Sequence, residues 1–539
     1  MKRTLATLLA LCLLLTCVSV TAFADDEWLT LRVEVFDRST TGLNMEDNMQ
    51  LDYIQKNFGD PNHINVDFVP VSRWSETEIL NTLLGGGTAP DICMTYDGAL
   101  VQQFIDMGGL YPMDDLLAEY GQNLVAFLGE NVLQFGRNNH YDADGNPILD
   151  ENGNIEFTQW YAPARRISVA RVGAFVRADW LEKLNMAVPT TVEEWVDYLY
   201  KAKENNLGGQ ETVPYIIKTV PEDPLFSVDI LVDAMLDFSQ ITEEMWFSQY
   251  KEQLPGAKEA YRLLNKMYND GIIQETFAID NGDIRDRNMN QGYSGFYAEG
   301  PTQVYGNGSG YQYELGLNVE GGRWIPVQCF KNKNGHYLRE VYDANGMCVF
   351  IPGWVSEETA IAAMKFLDWM SVLENRYYLQ HGIEGINYQY KDENGLPRNK
   401  VGADALADEY KMSGDVVFIS NGASFDNDEL DSAYQSLNYP GFEEEVKQSY
   451  IYCATDTYAP ATYTVTIQSE ADYGLMVKAK LSELIANAVT CKPEEFDAVY
   501  DRCIQGVLDV GGAEIVAEKL EAYKAGEYRG QFPKTLYGE

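Results

Sequence analysis

Histidine and paired cysteines are scarce in this 539-residue chain, and their scarcity bears on metal and redox chemistry. The sequence has four histidines and eight cysteines, and no two cysteines form a Cys-x-x-Cys pair. Zinc sites use cysteine and histidine at such spacings. We therefore expect no zinc site and no cofactor. Cys93 and Cys348 lie in apolar runs and are interpreted as small buried side chains. A disulfide between Cys491 and Cys503 is left open.

Basic residues are also few relative to acidic ones. The chain has 40 Lys and Arg against 82 Asp and Glu, a net charge of −42. Bulk electrostatics of this sign disfavours nucleic acid and anionic membrane surfaces as partners. An acidic surface keeps an exported protein dispersed, and we assign most of the charge to that role. Strongly anionic ligands are disfavoured unless Arg38, Arg165 or Arg177 gather in a cleft.

Catalytic signatures, internal repeats and low-complexity stalks are absent too. The sequence contains no Gly-x-Ser-x-Gly elbow, no His-Glu-x-x-His motif and no Walker loop. We therefore predict that the protein is not an enzyme, and nothing supports a purely structural surface protein. A secreted carbohydrate-active enzyme, a glycosidase or lyase, stays open as the alternative. Two carboxylates at catalytic distance will always exist among 82 acids.

One apolar run stands out, at the N-terminus. Residues 5–20 are apolar, follow Lys2 and Arg3, and precede the small-x-small sequence Ala-Phe-Ala that ends at Ala24. The run is short for a membrane span, and its flanks are those of a secretory signal peptide. We predict cleavage after Ala24 and an extracellular location. A lipid anchor at Cys17 is the alternative, since Leu-Leu-Thr-Cys there resembles a lipobox.

Strands and helices alternate over the first hundred residues of the predicted mature chain. Residues 29–36 alternate as a strand with Leu29, Leu31, Val33 and Val35 on one face. A helix over about 45–58, a strand over 64–69, a helix from about 76 and a strand near 92 follow. This order favours a parallel sheet covered by helices, and hence the α/β class.

The run of residues 79–117 is the most informative part of the chain. Three glycines at 85–87 end a helix, because glycine accepts the left-handed cap conformation. The apolar strand at 91–94 then stops at Tyr96 and Asp97. Open α/β sheets bind ligands at such strand ends.

Further segments predict helices and turns. A Thr-x-x-Glu capping box at Thr191 and Glu194 begins a helix over 191–205. Additional helices are expected at 359–375, 477–488 and 513–524. Asp-Gly and Asn-Gly turns between Asp142 and Glu156 favour a hairpin, with a calcium loop as the alternative.

Several of these stretches together resemble one family. In chain order they read GGGTAPDICMTYD (85–97), GGLYPMD (108–114), GAFVRADWLEKL (173–184), YNDGII (268–273), AMKFLDW (363–369) and GIEGINY (382–388). They are similar to motifs of the extracellular solute-binding proteins of bacterial ABC importers, family 1, the large carbohydrate-type group. The resemblance spans most of the chain in the expected order.

The resemblance implies a fold and a function. It implies a periplasmic-binding-protein-like α/β fold with two lobes, a hinged cleft and a chain that crosses between the lobes more than once. We expect a signal peptide at 1–24, mainly the N-terminal lobe at 25–150 and mainly the C-terminal lobe at 151–350. Residues 351–539 would complete both lobes and the hinge. The implied monomer captures a carbohydrate, an oligosaccharide, and delivers it to the membrane permease subunits of an ABC importer.

Candidate ligand-binding residues follow from strand ends and from sugar chemistry. The apolar C–H face of a sugar stacks on aromatic rings, and its hydroxyls bond to carboxylates, amides and arginine. The candidates are Asp37, Arg38, Trp74, Tyr96, Asp97, Trp160, Tyr161, Arg165, Tyr297, Glu299, Trp324, Glu384 and Tyr388. The alternative role of Trp74 is to cap a helix. The alternative role of Asp37 and Arg38 is to form a surface turn. Trp180, Trp195 and Trp369 fit helical core positions.

Overall fold

Two β-sheets organise the chain, and helices cover them. The computed structural model describes residues 28–140, 148–218, 226–280, 282–306, 309–399 and 406–533. Its strands are β1 (Leu29–Asp37), β2 (Ile64–Ser72), β3 (Cys93–Thr95), β4 (Arg137–Asn139), β5 (Phe157–Gln159), β6 (Ala162–Arg166), β7 (Gly173–Arg177), β8 (Tyr215–Ile216), β9 (Phe296–Glu299), β10 (Trp324–Pro326), β11 (Arg339–Glu340), β12 (Asn345–Phe350), β13 (Tyr390–Lys391), β14 (Pro397–Arg398), β15 (Ser420–Asn421), β16 (Thr457–Tyr458), β17 (Thr462–Tyr463) and β18 (Tyr528–Arg529).

Helices make up most of the remaining regular structure. The α-helices of six or more residues are Met49–Ile54, Glu76–Gly85, Gly98–Asp106, Asp114–Tyr120, Gln122–Leu128, Ala178–Leu184, Val192–Glu204, Asp229–Met235, Glu243–Ser248, Ala257–Asn269, Asp283–Asn290, Gly310–Asn318, Glu357–Ser371, Leu373–His381, Asp428–Leu437, Glu443–Cys453, Gln468–Thr490, Phe496–Val507 and Ala513–Ala525. With the strands, they confirm the predicted α/β class.

The sheet of the N-terminal lobe is mixed rather than purely parallel. β1 pairs with β2 in parallel along its full length, and a parallel bridge from Val33 to Ile92 adds the segment before β3. The order β15-β6-β12-β3 completes the sheet, with β12 antiparallel to β3 and β6. The predicted parallel arrangement holds for the first strands and for β15 with β6, whereas β12 is antiparallel to both of its neighbours. β12 runs the other way because the chain re-enters this sheet from the other lobe.

Both faces of β1 are buried, whereas the alternation in the sequence predicted only one buried face. Leu31, Val33 and Val35 lie in the core, and Glu34 and Phe36 on the opposite face are buried as well. Helices cover both sides of the sheet, so a strand in its centre has no solvent face. The carboxyl group of Glu34 is thereby enclosed in an apolar layer.

The sheet of the C-terminal lobe has the order β10-β7-β9-β8, with an aromatic core beside it. The ring of Trp195 lies 5.3 Å from that of Tyr215, 5.1 Å from Phe296 and 4.8 Å from Phe330. The helix that carries Trp195 begins with the predicted capping box at Thr191. Trp180 and Trp195 are fully buried, which confirms their assignment to the core.

The chain crosses between the lobes more than once, as the resemblance implied. Residues 167–172 lead from β6 to β7, and residues 341–344 lead back from β11 to β12. Tyr342 N donates to Val169 O at 2.9 Å, and Arg166 N donates to Ala344 O at 3.0 Å. The two crossing segments are thus hydrogen-bonded to each other and form a short hinge.

A buried ionic cluster anchors both crossing segments to the C-terminal lobe. Arg171 pairs with Asp229 and lies 3.5 Å from Glu340. Lys251 Nζ lies 3.0 Å from Asp233 and 2.8 Å from Glu340. Burial raises the pKa of Asp233 to about 7, whereas Lys251 and Arg171 lower the pKa of buried Glu340 to about 2. Two cations, Arg171 and Lys251, thus face three buried carboxyl groups, Asp229, Asp233 and Glu340.

The later helices match their predictions, with shifted bounds. The helix predicted over 359–375 is Glu357–Ser371, which stops before Val372 and is followed by Leu373–His381. The two predicted terminal helices are Gln468–Thr490 and Ala513–Ala525. Cys491 and Cys503, left open as a disulfide, are free thiols.

Residues 148–156 form the predicted turn. Leu149 bridges to Ile155, and Asp150 Oδ1 accepts from the backbone N–H groups of Asn152 and Asn154, both at 2.8 Å. These bonds engage the carboxylate that a calcium loop would use. Residues 141–147, which complete the turn-rich segment, lie outside the described residues, as does the predicted signal peptide.

Neither a membrane-spanning helix nor a metal cluster occurs among the described residues. No helix there is both long and apolar enough to cross a bilayer. In the same ranges no three His, Cys, Asp or Glu side chains are grouped so as to hold a metal ion.

Glu34 predicts an unusual dependence of stability on pH. Its side chain is 1% exposed, Met94 N donates to Oε2 at 3.1 Å, and burial raises its pKa from 4.5 to about 8. A carboxyl group whose pKa rises on folding stabilises the fold fully below pH 4.5, and this contribution is lost as the pH rises through 8. We expect Glu34→Gln to increase the free energy of unfolding at pH 7 by about 1–3 kcal/mol.

Chemical denaturation at pH 4 and pH 7 checks this expectation. The variant should gain stability only at the higher pH. Glu46→Gln, at an exposed position, is the matched control and should leave both values unchanged. An identical pH dependence for Glu34→Gln and the unmodified chain would show that the buried carboxyl group is not held neutral.

Candidate functional site

Side chains from several strands meet at one edge of the N-terminal sheet. Residues that follow β1, β2 and β3 lie at the carboxyl ends of these strands, where the crossing segments also leave the sheet. Because β12 is antiparallel to β3 and β6, its first residue, Asn345, lies opposite Arg165 at the same edge. This edge faces the other lobe and is the place where open α/β sheets bind ligands.

Trp74 is the most exposed large side chain at this edge. It is 66% exposed, in a short turn directly after β2. The guanidinium groups of Arg38 and Arg73 lie 5.6 and 5.9 Å from its ring centre. An exposed tryptophan beside hydrogen-bond donors presents a flat apolar surface with polar groups at its rim. The alternative role as a helix cap is not seen, since no side-chain cap bond occurs at this turn.

Arg73 fills the space between two aromatic rings. Its guanidinium carbon lies 5.2 Å from the ring centre of Phe36 and 4.6 Å from that of Tyr96. Cation–π contacts of this kind orient the guanidinium group without consuming its N–H donors. Within the described part of the chain, Arg73 Nε is buried and has no hydrogen-bond partner.

Tyr96 joins the exposed edge to the interior of the cleft. Its hydroxyl accepts a 2.6 Å hydrogen bond from Asn421 Nδ2. Burial raises the pKa of Tyr96, although Arg73, Arg166 and Arg38 act in the opposite direction. The phenol is therefore neutral and keeps its proton for donation.

Arg38 and Asp37 are held by neighbouring groups. Arg38 makes a bidentate pair with Asp415, with Nε–Oδ2 at 2.5 Å and Nη2–Oδ1 at 3.1 Å. This hydrogen-bonded pair raises the pKa of Arg38. Asp37 accepts a 2.7 Å hydrogen bond from Ser39 N. The surface-turn interpretation thus describes Asp37 well, while Arg38 lies against Trp74.

Arg166 extends the edge toward the hinge. Its Nε donates to Asn345 O at 3.2 Å, and its guanidinium group lies 4.5 Å from the ring centre of Tyr342. Burial lowers its pKa. Asn345 Oδ1 is buried and has no hydrogen-bond partner among the described residues, so this amide is available to a bound molecule.

A cavity of about 320 Å³ opens between this edge and the C-terminal part of the chain. Its lining combines aromatic rings, amides, hydroxyls and paired charges. The main lining residues are Tyr96, Gln102, Phe135, Arg137, Tyr161, Asn345, Tyr463, Thr464, Thr466, Glu470, Lys519 and Arg529. Ligand pockets span roughly 300–1,000 Å³, so the cavity accepts a small ligand or one end of a longer one.

Two contacts close the rim of this cavity. Thr466 Oγ1 donates to Asp106 Oδ2, and Arg529 Nη2 donates to Arg137 O at 3.4 Å. Both join residues of the N-terminal lobe to residues after 460. The cavity therefore lies between the N-terminal lobe and the segments after residue 460.

The C-terminal lobe contributes a second polar group at the end of β9. Lys218 Nζ lies 3.0 Å from Glu299 Oε1, while Glu299 Oε2 is buried without a partner among the described residues. Tyr297 lies two residues earlier, fully buried, and its hydroxyl also has no partner there. Burial raises the pKa of Tyr297 far above its ordinary value. Glu299 is at a strand end, while Tyr297 is inside the core.

The structure brings Arg38, Trp74 and Tyr96 together, and it gives other candidates local roles. Asp97 accepts from Leu100 N at 2.9 Å as the cap of the following helix. Tyr161 lines the cavity and donates to Phe135 O at 2.5 Å.

Four further candidates lie in other surroundings. Trp160 packs against a core layer, and Trp324 is fully buried. Glu384 is exposed in a turn, and Tyr388 is buried with its ring 6.1 Å from that of Tyr377.

Two arginines named from the sequence are paired with acids. Arg165 Nη2 lies 2.6 Å from Asp428. Arg177 is buried in β7 and pairs with Asp179, 2.7 Å away, so it does not reach the edge that carries Trp74.

Sequence reasoning missed Arg73, Arg166, Asn345 and Asn421. Arg73 had a usable signal, since it directly precedes Trp74 at a strand end. Arg166 directly follows the candidate Arg165 in β6, and the sequence does not show which of the two faces the cleft. Asn345 and Asn421 carry no local signal, because only the antiparallel return of β12 and the addition of β15 bring them to this edge.

Comparison with known proteins identifies the fold. No family model matches the chain, and no curated protein matches its sequence. The solved structure of the alginate-binding protein AlgQ2 without calcium is similar, with 18% identity and a TM-score of 0.61 over 93% of this chain and 98% of that one.

Two further solved structures agree. An HMO-binding, ABC-transporter-associated solute-binding protein from Bifidobacterium longum infantis has 15% identity and a TM-score of 0.61, covering 93% of this chain and 100% of that one. The S. pneumoniae ABC-transporter substrate-binding protein FusA, in complex with kestose, has 14% identity and a TM-score of 0.58, covering 92% and 99%. The chain therefore has the two-lobed fold of these solute-binding proteins, as predicted.

Proposed function

We propose that this protein is an extracellular solute-binding protein that captures a carbohydrate, an oligosaccharide, and delivers it to an ABC importer. The observation that carries the proposal is the cleft edge, where Arg73 lies between exposed Trp74 and Tyr96, and Tyr96 lines a cavity with amides and hydroxyls. A sugar needs both kinds of surface, because its C–H face stacks on aromatic rings and its hydroxyls need hydrogen-bond partners.

The hinge supports a transport role. Two crossing segments are the kind of connection about which lobes rotate when a ligand fills the cleft. Closure by a ligand that contacts both lobes gives a partner a surface that differs from the open form. We propose that this partner is the permease of an importer and that the protein acts as a secreted monomer. The solved structures similar in fold include one named for alginate and one that holds kestose.

The carboxylates at the edge support binding rather than catalysis. Asp97 caps a helix, Asp37 accepts from a backbone N–H, and Asp415 is bonded to Arg38. A glycosidase needs one carboxyl group free to donate a proton and another free to attack or to activate water. These three are committed to the fold, so we propose no catalytic function.

A thermal-shift screen tests the proposal. The chain is heated with neutral oligosaccharides, acidic sugars, amino acids and peptides, and we expect one class of oligosaccharide to raise the melting temperature. A ligand at 100 times its Kd adds about 2.7 kcal/mol of stability. Chromatography of the recovered ligand should show it unchanged. Stabilisation by amino acids or peptides alone, or turnover of the sugar, would refute the proposal.

Trp74→Ala tests the stacking surface. We expect the Kd for the oligosaccharide found in the screen to rise roughly 10- to 100-fold, because about 1–3 kcal/mol of ring burial is lost. Calorimetric titration measures the change.

Trp354→Ala is the matched control for this substitution. Trp354 is 44% exposed and follows β12 at its far end, so its loss should leave the Kd unchanged. Equal effects of the two substitutions would remove Trp74 from the site.

A further inference from the structure

Arg73 and Arg166, unlike Arg38 and Lys519, make no direct ion pair among the described residues. Arg38 pairs with Asp415, as described above. Lys519 lies 2.9 Å from Glu470. In the described part of the chain, the buried Nε of Arg73 has no hydrogen-bond partner at all. The Arg73 guanidinium group lies between two rings within electrostatic range of Glu76, and its Nε–H donor is left for an anion.

The nearest acid to Arg73 in sequence is already engaged. Glu76 is buried, and its Oε2 accepts from Thr95 Oγ1 at 2.7 Å. Its Oε1 accepts from Tyr96 N at 3.2 Å. Both oxygens of Glu76 therefore hold the end of β3, and neither makes an ion pair with Arg73.

Arg166 is the second guanidinium group with free donors. It gives one N–H to the backbone carbonyl of Asn345 and stacks on Tyr342, as described above. Asp343 lies within electrostatic range of both Arg166 and Arg529, so its charge is shared between two arginines. Donors of Arg166 thus remain for a bound molecule.

Arginines cluster around Tyr96 even though the whole chain is acidic. Three guanidinium groups, of Arg73, Arg166 and Arg38, and the carboxylate of Asp415 act on this phenol. The Arg38–Asp415 pair is internally neutral, whereas Arg73 has Glu76 and Arg166 has Asp343 only within electrostatic range. Arg73 and Arg166 are thus the guanidinium groups beside Tyr96 that no direct ion pair holds among the described residues.

We propose that the ligand is an acidic oligosaccharide whose oxyanion, a carboxylate or a sulfate ester, is bound by Arg73 and Arg166 beside Tyr96. This inference rests on the proposed function and narrows its ligand class. The planar fork of arginine matches both anions, and Trp74 next to Arg73 takes the face of the sugar ring that carries the anion. The negative net charge disfavours an anionic ligand unless arginines gather in the cleft. Arg38, Arg73 and Arg166 gather there, whereas Arg165 and Arg177 do not.

Calorimetric titration of the full chain tests the proposal. The probes are uronate-containing oligosaccharides, sulfated oligosaccharides and neutral oligosaccharides of the same lengths. We expect the tightest ligand to be acidic and its affinity to fall with added salt, since ion pairs are screened. The uronate and sulfate arms identify which anion the site takes.

Arg73→Gln should raise the Kd of that acidic ligand roughly 10- to 100-fold, because a hydrogen bond to a charged group is lost. Arg73→Lys should have a smaller effect, since it keeps the charge but not the fork. Arg502→Gln, on the exposed side of the helix Phe496–Val507, removes the same charge elsewhere and should change nothing. Circular dichroism checks that each variant is folded. If Arg73→Gln does not fold, the salt dependence of acidic-ligand binding to the unmodified chain tests the inference instead.

Each remaining outcome overturns the inference. If the tightest ligand is neutral, or if Arg73→Gln leaves acidic binding unchanged, the inference fails while the proposed function stands. If no oligosaccharide of any kind binds, both fail together.

Discussion

The hydrogen-bonded crossing segments are the constraint on which the rest of the structure depends. Hydrogen bonds from Arg166 to Ala344 and from Tyr342 to Val169 hold the two segments side by side where they pass between the lobes. The ionic cluster around Lys251 fixes the roots of these segments in the C-terminal lobe. Buried ion pairs add little net stability, but they specify one geometry. The ends of the two segments are thus fixed to the C-terminal lobe, and the segments are fixed to each other.

The same connection builds the binding edge. β6 ends and β12 begins at the hinge, so their terminal residues lie beside those that follow β1, β2 and β3. Most aromatic side chains of the C-terminal lobe, such as Trp324, are buried in its core, whereas Trp74 is left in solvent. An exposed tryptophan ring is a surface on which the C–H face of a sugar stacks.

Much of the fold follows from local patterns, and much of the site does not. The capping box at Thr191, the strand–helix order before residue 95 and the positions of Trp74 and Tyr96 at strand ends are all local signals. Alternation in β1 predicted one buried face and missed the second, because periodicity does not report a covering layer. Arg166 and Asn345 reach the edge only through the antiparallel pairing of β12, which is a contact between residues about 180 apart in sequence.

Small-angle X-ray scattering tests the central claim most directly, that ligand capture closes two hinged lobes. The radius of gyration of the chain is measured alone, with the oligosaccharide that stabilises it, and with a non-binding sugar of equal length. The account predicts a smaller radius with the binding sugar only, since closure brings the lobes together about the crossing segments. An unchanged radius at saturating ligand, with binding established by calorimetry, would contradict it.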